Sequence, residues 1–409
     1  MKKVRKDGRG RVLHNGEMYI KNKSLFCFSY TDIWGKRKYL YAKDLAELRR
    51  KEEELERKRL DRLETYPVVN PDLNYVFDRY FANKQGLRSS TKGNYAYTYD
   101  HYIRNGFGKK KISEIKYSDV LSFYNGLLEN GLQIGMVASV HRLIHPALDF
   151  AVRDNVLKSN PSNGVMTEVK KHAAPPKPRH ALTLEAQRIF LKELDNPEYE
   201  GYKNFFVVMF GTGVRVGELI GLRWCDVDFD KSVISINHAI SYFRRIESNG
   251  RAEFRVSLPK TAAGIRNIPM LDKVREALLK EKQDQDKSGH YPIVEIDGMS
   301  GFIFCNKYRM LHNHNSLDRF IRKVVDHYNL KEIKEAEETN REPIILPRFS
   351  CHITRHSFCT RLCENDTNIK VVQSTMGHKR IQTTLDVYAD VTESKKMEVF
   401  ELLNNNIIF

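Results

Sequence analysis

Residues 211–219 read Gly-Thr-Gly-Val-Arg-Val-Gly-Glu-Leu, and they place an arginine between a turn and a helix. The glycines favour a turn, and the residues after Arg215 are consistent with the start of a helix. The Arg215 guanidinium is planar and permanently charged, which suits bidentate contact with a phosphate. Glu218, three residues further on, is better placed to brace Arg215 than to touch a substrate.

Five further polar residues follow in short motifs. Lys260 comes after an expected strand, in Leu258-Pro259-Lys260-Thr261. His352 and Arg355 are three residues apart, so on a helix they share one face. His378 lies in Met376-Gly377-His378, and Tyr388 follows ten residues later. Any one of these residues alone is more often a cap or a core residue, but together, in this order, they indicate a catalytic site.

This series resembles the signature of the tyrosine recombinases, also called lambda-type integrases, over about residues 180–392. That signature is an Arg-x-Gly-Glu turn, a lysine between strands, His-x-x-Arg, a Leu-Gly-His motif and a tyrosine near the C-terminus. Met376 stands where the family most often has leucine. The chain is most similar to the integrases of conjugative transposons and phages that carry an N-terminal arm-binding domain.

The resemblance implies a site-specific DNA recombinase that works through a covalent 3′-phosphotyrosyl intermediate and a Holliday junction. Such an enzyme integrates and excises a mobile genetic element, as a homotetramer on double-stranded DNA with core-type and arm-type sites. An accessory excision factor is a possible further partner. No cofactor is expected, because the phosphotyrosyl link conserves the bond energy.

The implied roles agree with the chemistry of phosphoryl transfer. Arg215 and Arg355 would hold the nonbridging oxygens, on which negative charge develops. His352 and His378 would donate hydrogen bonds to the same phosphate or move protons. Glu218 is expected to support Arg215 from behind.

Tyr388 is the expected nucleophile, and it needs cationic neighbours because a free phenol has a pKa of about 10. Lys260 is the expected general acid for the departing 5′-hydroxyl, since a desolvated lysine can lose its proton near neutral pH. Arg255 and Arg266 lie near Lys260 in the sequence, and sequence alone does not fix the register of the hairpin that carries them.

The expected fold is multi-domain and mainly α, with small β-sheets (α+β). Residues 1–65 predict a three-stranded sheet and a helix, with strands at Arg11–Leu13, at 26–30 and at 39–41. Residues 66–165 read as a helical core-site-binding domain, 166–180 as a basic linker, and 181–409 as a mixed α/β catalytic domain.

The charge favours a polyanionic partner. Lys and Arg number 68 and Asp and Glu 52, so the net charge is +16. Residues 1–43 hold 12 basic and 3 acidic residues, a net of +9. The candidate DNA-binding residues in the first domain are Lys36, Arg37, Lys38, Tyr39 and Tyr41. Further along the chain they are Lys92, Lys170, Lys171, Lys177 and Arg179.

Other classes are disfavoured. No apolar run approaches the length of a membrane span, and six cysteines are too few for a disulfide scaffold, so a reducing cytoplasm is expected. The family resemblance implies that this cytoplasm is bacterial and that the enzyme is nucleoid-associated. The cysteines and histidines within 351–363 lack the paired spacing of a zinc site, so no metal is expected.

Two alternatives stay open at the level of sequence. A type IB topoisomerase would use similar residues, although the separate basic N-terminal module argues against it. A non-catalytic DNA-binding or architectural protein would fit the composition, although it leaves the six-residue series unexplained. The tail after Thr392 predicts a short amphipathic helix that docks either on its own domain or on a neighbouring protomer.

Overall fold

The structure, a computed structural model, describes residues 5–7, 10–31, 37–60, 70–174, 180–244, 252–259, 262–365 and 368–387. The chain divides into two units, Met1–Lys177 and Pro178–Phe409. Several residues singled out from the sequence lie outside the described residues: Lys36, Lys177, Arg179, Lys260 and Tyr388, together with the tail after residue 387. No helix in the described ranges is both long and apolar enough to cross a membrane.

The first unit begins with an antiparallel sheet and a helix. The strands are β1 (Glu17–Ile20), β2 (Leu25–Thr31) and β3 (Arg37–Ala42), and they lie in the order β1-β2-β3 in the sheet. The helix that follows them is α1 (Leu45–Leu60). A small core of Phe26, Ala42, Leu45 and Leu48 joins sheet and helix.

The three-stranded sheet confirms the expectation in number but not in the position of its first strand. The predicted strand at Arg11–Leu13 is wrong, because Val12 forms only a single bridge with Lys6. The strand lies instead at Glu17–Ile20, where Glu17 is fully buried and ion-paired with Arg49. A buried glutamate breaks the alternation by which strands are recognised, which explains the miss.

Five further α-helices lie among the described residues of the first unit: α2 (Leu73–Asn83), α3 (Ser89–Tyr99), α4 (Tyr117–Glu129), α5 (Ile134–Arg153) and α6 (Val165–His172). Their shared core includes Phe77, Tyr99 and Tyr124. Residues 166–172 were expected to be linker, but they are helical, and Val165 and Val169 are buried in this core. Besides these two valines only Met166, partly buried, packs against the core, so the polar and basic residues around them hide the helical period.

The second unit combines seven helices with two small sheets among its described residues. The helices are α7 (Leu184–Glu193), α8 (Glu200–Thr212), α9 (Val216–Ile220), α10 (Asp272–Ser288), α11 (His314–Glu338), α12 (Cys351–Glu364) and α13 (Ile369–Met376). The strands are β4 (Val227–Asp228), β5 (Val233–Ile236), β6 (Ala239–Arg244), β7 (Ala252–Ser257) and β8 (Arg266–Pro269). The sheet orders are β4-β5-β8 and β6-β7. Residues 382–387 are also helical.

Helix α8 organises this unit. Phe205, Phe206 and Phe210 are almost fully buried in the core, where α8 packs against α10 and α12. The turn that follows α8 therefore emerges beside α12, which brings residues 213–215 next to residues 352–355. The expectation of a mainly helical protein with small sheets is confirmed.

Candidate active site

Helix α12 carries the His-x-x-Arg motif at its N-terminal end. The helix starts at Cys351, whose backbone N–H donates to the Asp318 carboxylate at 2.8 Å. His352 is exposed in the next position, whereas Arg355, one turn later, is only 4% exposed. The three-residue spacing thus presents one histidine to solvent and directs one arginine inward.

Arg355 is held by two backbone carbonyls. Its Nη1 donates to the Gly213 oxygen at 2.7 Å, and its Nη2 donates to the Met376 oxygen. Burial, and then the nearby charge of Arg215, lowers the pKa of Arg355 to about 9. That value is still well above neutral pH, so this buried guanidinium carries its charge under ordinary conditions.

Arg215 occupies the N-cap position of α9, where Glu218 anchors it. The Glu218 carboxylate accepts the Arg215 backbone N–H at 2.9 Å and its Nη1 at 2.8 Å. Arg215 Nη2 donates to the Gly377 oxygen at 3.1 Å. Its side chain is nevertheless 45% exposed, so part of the guanidinium is available to an anion from solution.

Glu218 has a second cationic partner. Arg266, at the start of β8, donates from Nη2 to Oε2 at 2.7 Å and from Nη1 to Oε1 at 3.2 Å. Burial alone would raise the pKa of Glu218, but hydrogen bonds and charge from Arg266, with the charge of Arg215, hold it below its ordinary value. Glu218 is therefore a buried, ionised carboxylate shared by two arginines.

The C-terminal end of α13 is the meeting point of three arginines. The carbonyl oxygens of Thr375, Met376 and Gly377 accept from Arg266, Arg355 and Arg215, respectively. These oxygens are among the carbonyls that a helix end leaves without intrahelical partners, and the helix dipole places partial negative charge there. One helix end thus sets the positions of all three guanidiniums.

His378 leaves this helix end through a left-handed turn at Gly377, where φ is +62°. Its Nδ1 lies 2.9 Å from the Thr384 hydroxyl oxygen. Burial, followed by the charges of Arg355, Arg215, Arg266 and His352, lowers the pKa of His378 to about 4. His378 is therefore a neutral imidazole at neutral pH, and it can donate or accept a hydrogen bond.

The structure brings together four of the six residues that the sequence singled out. Arg215, Arg355 and His378 meet at the end of α13, and His352 is close enough for its charge to act on His378. Lys260 lies outside the described residues, in the connection between β7 and β8. Tyr388 also lies outside them, one residue after Val387, which packs with Met376 in a small buried cluster.

Arg266 belongs to this site through its contacts with Glu218, although in the sequence it stands out only as a neighbour of Lys260. The missed signal is the alternation along β8, in which Arg266 and Ile268 are buried while Asn267 and Pro269 are exposed. An arginine in phase with a core isoleucine faces the interior, where it requires a partner.

The candidate DNA-binding residues of the first unit lie on different faces. By alternation along β3, Arg37, Tyr39 and Tyr41 share one face, whereas Lys38 shares the other with Ala42, which packs in the core with α1. Tyr39 and Tyr41 are 46% and 49% exposed, and their ring centroids are 6.4 Å apart.

The candidate basic residues outside the sheet are more scattered. Lys92 is half-buried on α3. Lys170 and Lys171 are exposed near the end of α6, where Lys171 pairs with Glu168 at 2.9 Å. Within the part of the chain that the structure describes, no group of three His, Cys, Asp or Glu side chains is arranged to hold a metal ion.

Three family models match the chain in succession. Residues 182–395 match the model described as the phage integrase family. Residues 1–59 match the DNA binding domain of Tn916 integrase. Residues 73–128 match the N-terminal SAM-like domain of phage integrases.

Individual relatives extend over most of the chain. The transposase from transposon Tn916 of Enterococcus faecalis is 25% identical and covers 99% of this chain and 98% of its own length. A solved structure of the Tn1549 transposon integrase with a circular intermediate DNA superposes with a TM-score of 0.68 at 23% identity, over 80% of this chain and 99% of that one. A lambda integrase tetramer bound to a Holliday junction gives a TM-score of 0.51 at 19% identity, over 91% and 95%.

Proposed function

The chain belongs to the phage integrase family, and we propose that this tyrosine recombinase cuts and rejoins DNA at specific sites to integrate and excise a conjugative transposon. The covalent intermediate is a 3′-phosphate linked to Tyr388. The match to the integrase family over the catalytic half favours this function over a DNA-relaxing topoisomerase and over an architectural protein.

The observation that carries the proposed mechanism is the cluster of cationic and imidazole groups at the end of α13. Arg215, with its partly exposed guanidinium, and Arg355, which is charged despite its burial, neutralise the nonbridging oxygens as the phosphorane-like charge develops. His378 acts as a neutral imidazole, so it donates a hydrogen bond to an oxygen or receives the proton of the nucleophile. Lys260 protonates the 5′-oxygen that leaves.

The test of this mechanism is formation of a covalent adduct on a suicide DNA. A labelled duplex that carries the junction of the element's ends, with a nick near the crossover site, traps the phosphotyrosyl enzyme. Wild type should form an adduct that survives denaturation, and Tyr388→Phe should form none. Tyr328→Phe, which removes the hydroxyl of a half-buried tyrosine on α11, is the matched control and should behave as wild type. An adduct formed by Tyr388→Phe would exclude Tyr388 as the nucleophile.

We further propose that the N-terminal module, residues 1–65, binds arm-type DNA through the face of the sheet that carries Arg37, Tyr39 and Tyr41. This face lies opposite the side that packs on α1, and its exposed tyrosines and arginine suit contacts in a major groove. Deletion of residues 1–65 should abolish arm-site binding and leave cleavage at the crossover site intact.

Two adjacent basic residues provide a sharper test of this face. Arg37→Ala should weaken arm-site binding about tenfold, which corresponds to the loss of one good base or phosphate contact. Lys38→Ala removes the same charge from the other face and should change the affinity less than about threefold. Equal losses in a mobility-shift assay would show that charge alone, rather than this face, determines binding.

The assembly and cellular site of action are also proposals. The lambda integrase tetramer on a Holliday junction supports a homotetramer on two DNA sites for this chain. An accessory excision factor would bias the direction, and the enzyme would act on nucleoid DNA in the bacterial cytoplasm. Mass photometry of the protein with paired junction DNA should show four protomers per complex, and a stable monomer on each site would contradict this.

A further inference from the structure

Arg266 is desolvated to a degree that is unusual for an arginine. The residue is 9% exposed, and its side chain is 6% exposed. It begins β8, in register with Ile236 of β5. Because arginine is rarely buried without a partner, the fold has reason to hold a charge at this point.

The Arg266 side chain connects three separate elements. Its two terminal nitrogens bind both carboxylate oxygens of Glu218, which belongs to α9. Its Nε donates to the Thr375 oxygen at 2.7 Å, at the end of α13. The fork geometry of a guanidinium allows these contacts at once, which a lysine ammonium does not.

The charge of Arg266 changes what Arg215 has available for a phosphate. Glu218 is a buried anion, and with Arg215 as its sole partner it would cancel the charge that Arg215 offers to DNA. With Arg266 present, three guanidiniums (Arg215, Arg266 and Arg355) face one carboxylate, which leaves a net of two positive charges at the site. Two charges match the demand of a dianionic transition state at phosphorus.

The position of Arg266 also limits the turn that carries His378. A Cβ placed on Gly377 would lie 3.1 Å from Arg266 Nη1 and 2.9 Å from the Ala263 oxygen. The guanidinium therefore packs directly against the left-handed turn at Gly377. A change in Arg266 would alter the path of the chain from Met376 to His378.

We propose that Arg266 is a positioning residue that neutralises Glu218 and fixes the end of α13, so that Arg215, Arg355 and His378 surround one phosphate. This inference rests on the proposed recombinase mechanism. The competing explanation is a purely structural ion pair, since breaking a buried pair by removal of one partner destabilises a protein in any location.

The second unit contains a matched arginine–glutamate pair whose hydrogen bonds do not involve the motif residues. Arg341 donates from both terminal nitrogens to both oxygens of Glu332, which is 6% exposed. Glu332 also accepts the Ile344 backbone N–H at 2.9 Å. Arg341→Met therefore breaks a similar arginine–glutamate pair without touching Glu218 or α13.

The experiment compares single-turnover cleavage of the nicked suicide DNA by wild type, Arg266→Met, Glu218→Gln, the double variant and Arg341→Met. Arg266→Met should cleave roughly 100-fold more slowly, as expected for a displaced catalytic group. The double variant removes the unpaired carboxylate together with the arginine, so it should cleave about tenfold faster than Arg266→Met. Arg341→Met should stay within about threefold of wild type.

The pH dependence of the cleavage rate distinguishes a positioning role of Arg266 from a purely structural one. Among the described residues, His378 is faced by Arg215, Arg266, Arg355, His352 and Thr384. Removal of one positive charge raises the pKa of His378, so the acid limb of the cleavage rate should shift to higher pH in Arg266→Met. It should return in the double variant, whose net charge equals that of wild type, and stay unshifted in Arg341→Met.

Each other outcome is decisive. The proposal fails if the cleavage rate of Arg266→Met is within threefold of wild type, or if the double variant cleaves no faster than Arg266→Met. It also fails if Arg341→Met slows cleavage as much as Arg266→Met does. If thermal unfolding shows that Arg266→Met does not fold, the cleavage rate of Arg266→Lys is measured instead. This variant keeps the positive charge and loses the planar, two-pronged geometry of the guanidinium. A wild-type rate for Arg266→Lys then overturns the proposal, and about a tenfold loss supports it. Absence of any adduct with wild type would instead refute the proposed function.

Discussion

Gly377→Ala tests whether the turn at the end of α13 controls catalysis. Gly377 adopts φ +62°, and its carbonyl oxygen accepts from Arg215. An alanine Cβ at this position would lie 2.9 Å from the Ala263 oxygen, well inside the 3.4 Å at which ordinary contact begins. The substitution therefore imposes both a left-handed backbone on alanine and a collision of about 0.5 Å with a backbone atom.

The magnitude follows from these two contributions. A left-handed conformation costs a non-glycine residue about 1 kcal/mol or somewhat more. Overpacking against a backbone atom adds about 2 kcal/mol. For a unit of this size each kcal/mol lowers Tm by about 2–4 °C, so Gly377→Ala should lower the Tm of the catalytic unit by roughly 6–12 °C. The displaced carbonyls also shift Arg215 and Arg355, so cleavage should fall about 100-fold.

Gly289→Ala is the matched control for this prediction. Gly289 ends α10 with φ +64°, and a Cβ placed on it would meet no atom within 4 Å. This variant bears only the backbone cost, so its Tm should fall by about 2–4 °C and its cleavage rate should stay within about threefold of wild type. Thermal unfolding and single-turnover cleavage measure both quantities. Equal effects of the two substitutions on cleavage would refute the idea that the turn at Gly377 positions the site.

Three further outcomes are expected. Arg355→Lys keeps a charge but cannot reach the Gly213 and Met376 oxygens together. The cleavage rate should therefore fall about 100-fold, while the affinity for DNA is preserved. In the control variant Arg348→Lys, which alters an exposed pair with Asp326, the cleavage rate and the DNA affinity should both stay unchanged. Burial, and then the charge of Glu17, raises the pKa of Glu52 to about 7. The folded N-terminal module therefore favours the protonated form of Glu52. The stability of the module should fall as the pH rises from the ordinary pKa of glutamate through about 7. Glu52→Gln should therefore slow hydrogen exchange of the sheet amides relative to wild type at pH 8 and differ little at pH 4, and an equal difference at both values would contradict this assignment. Asn160 is 6% exposed and donates to the His145 carbonyl oxygen and the Asp149 carboxylate. Asn160→Ala should therefore destabilise the first unit by about 1–3 kcal/mol in thermal unfolding. An unchanged Tm would show that these hydrogen bonds do not contribute to stability.

Features of this protein that depend on neighbouring residues could be predicted from sequence. The motif around Arg215 spans only residues 211–218, and His352 and Arg355 are only three residues apart. Local geometry alone therefore places Arg215 at the start of α9, and it places His352 about one turn before Arg355 on α12. The strand at Val233–Ile236 shows a local pattern of the same kind, since Ile234 and Ile236 alternate with less buried residues.

The first strand and the end of the helical domain show where local patterns fail. Glu17 interrupts the alternation of β1, and it is tolerated because Arg49, 32 residues away, pairs with it. Helix α6 contacts the core of α2–α5 through two buried valines and the partly buried Met166, and this short apolar pattern does not reveal a helix without that core. In both cases the deciding partner lies far away in the sequence.

The site itself depends on such distant partners. Arg266 is 48 residues from Glu218 and 109 from Thr375, and Arg355 is 142 residues from Gly213. The sequence determined which residues can bind a phosphate, because charge and fork geometry are properties of the side chain. Only tertiary packing, of α12 against α8 and of α13 against α12 and β8, determined that three arginines meet at one helix end. Burial of Glu218, Arg266 and Arg355 then strengthens their contacts, because a hydrogen bond or ion pair is electrostatically stronger in the low dielectric of the interior.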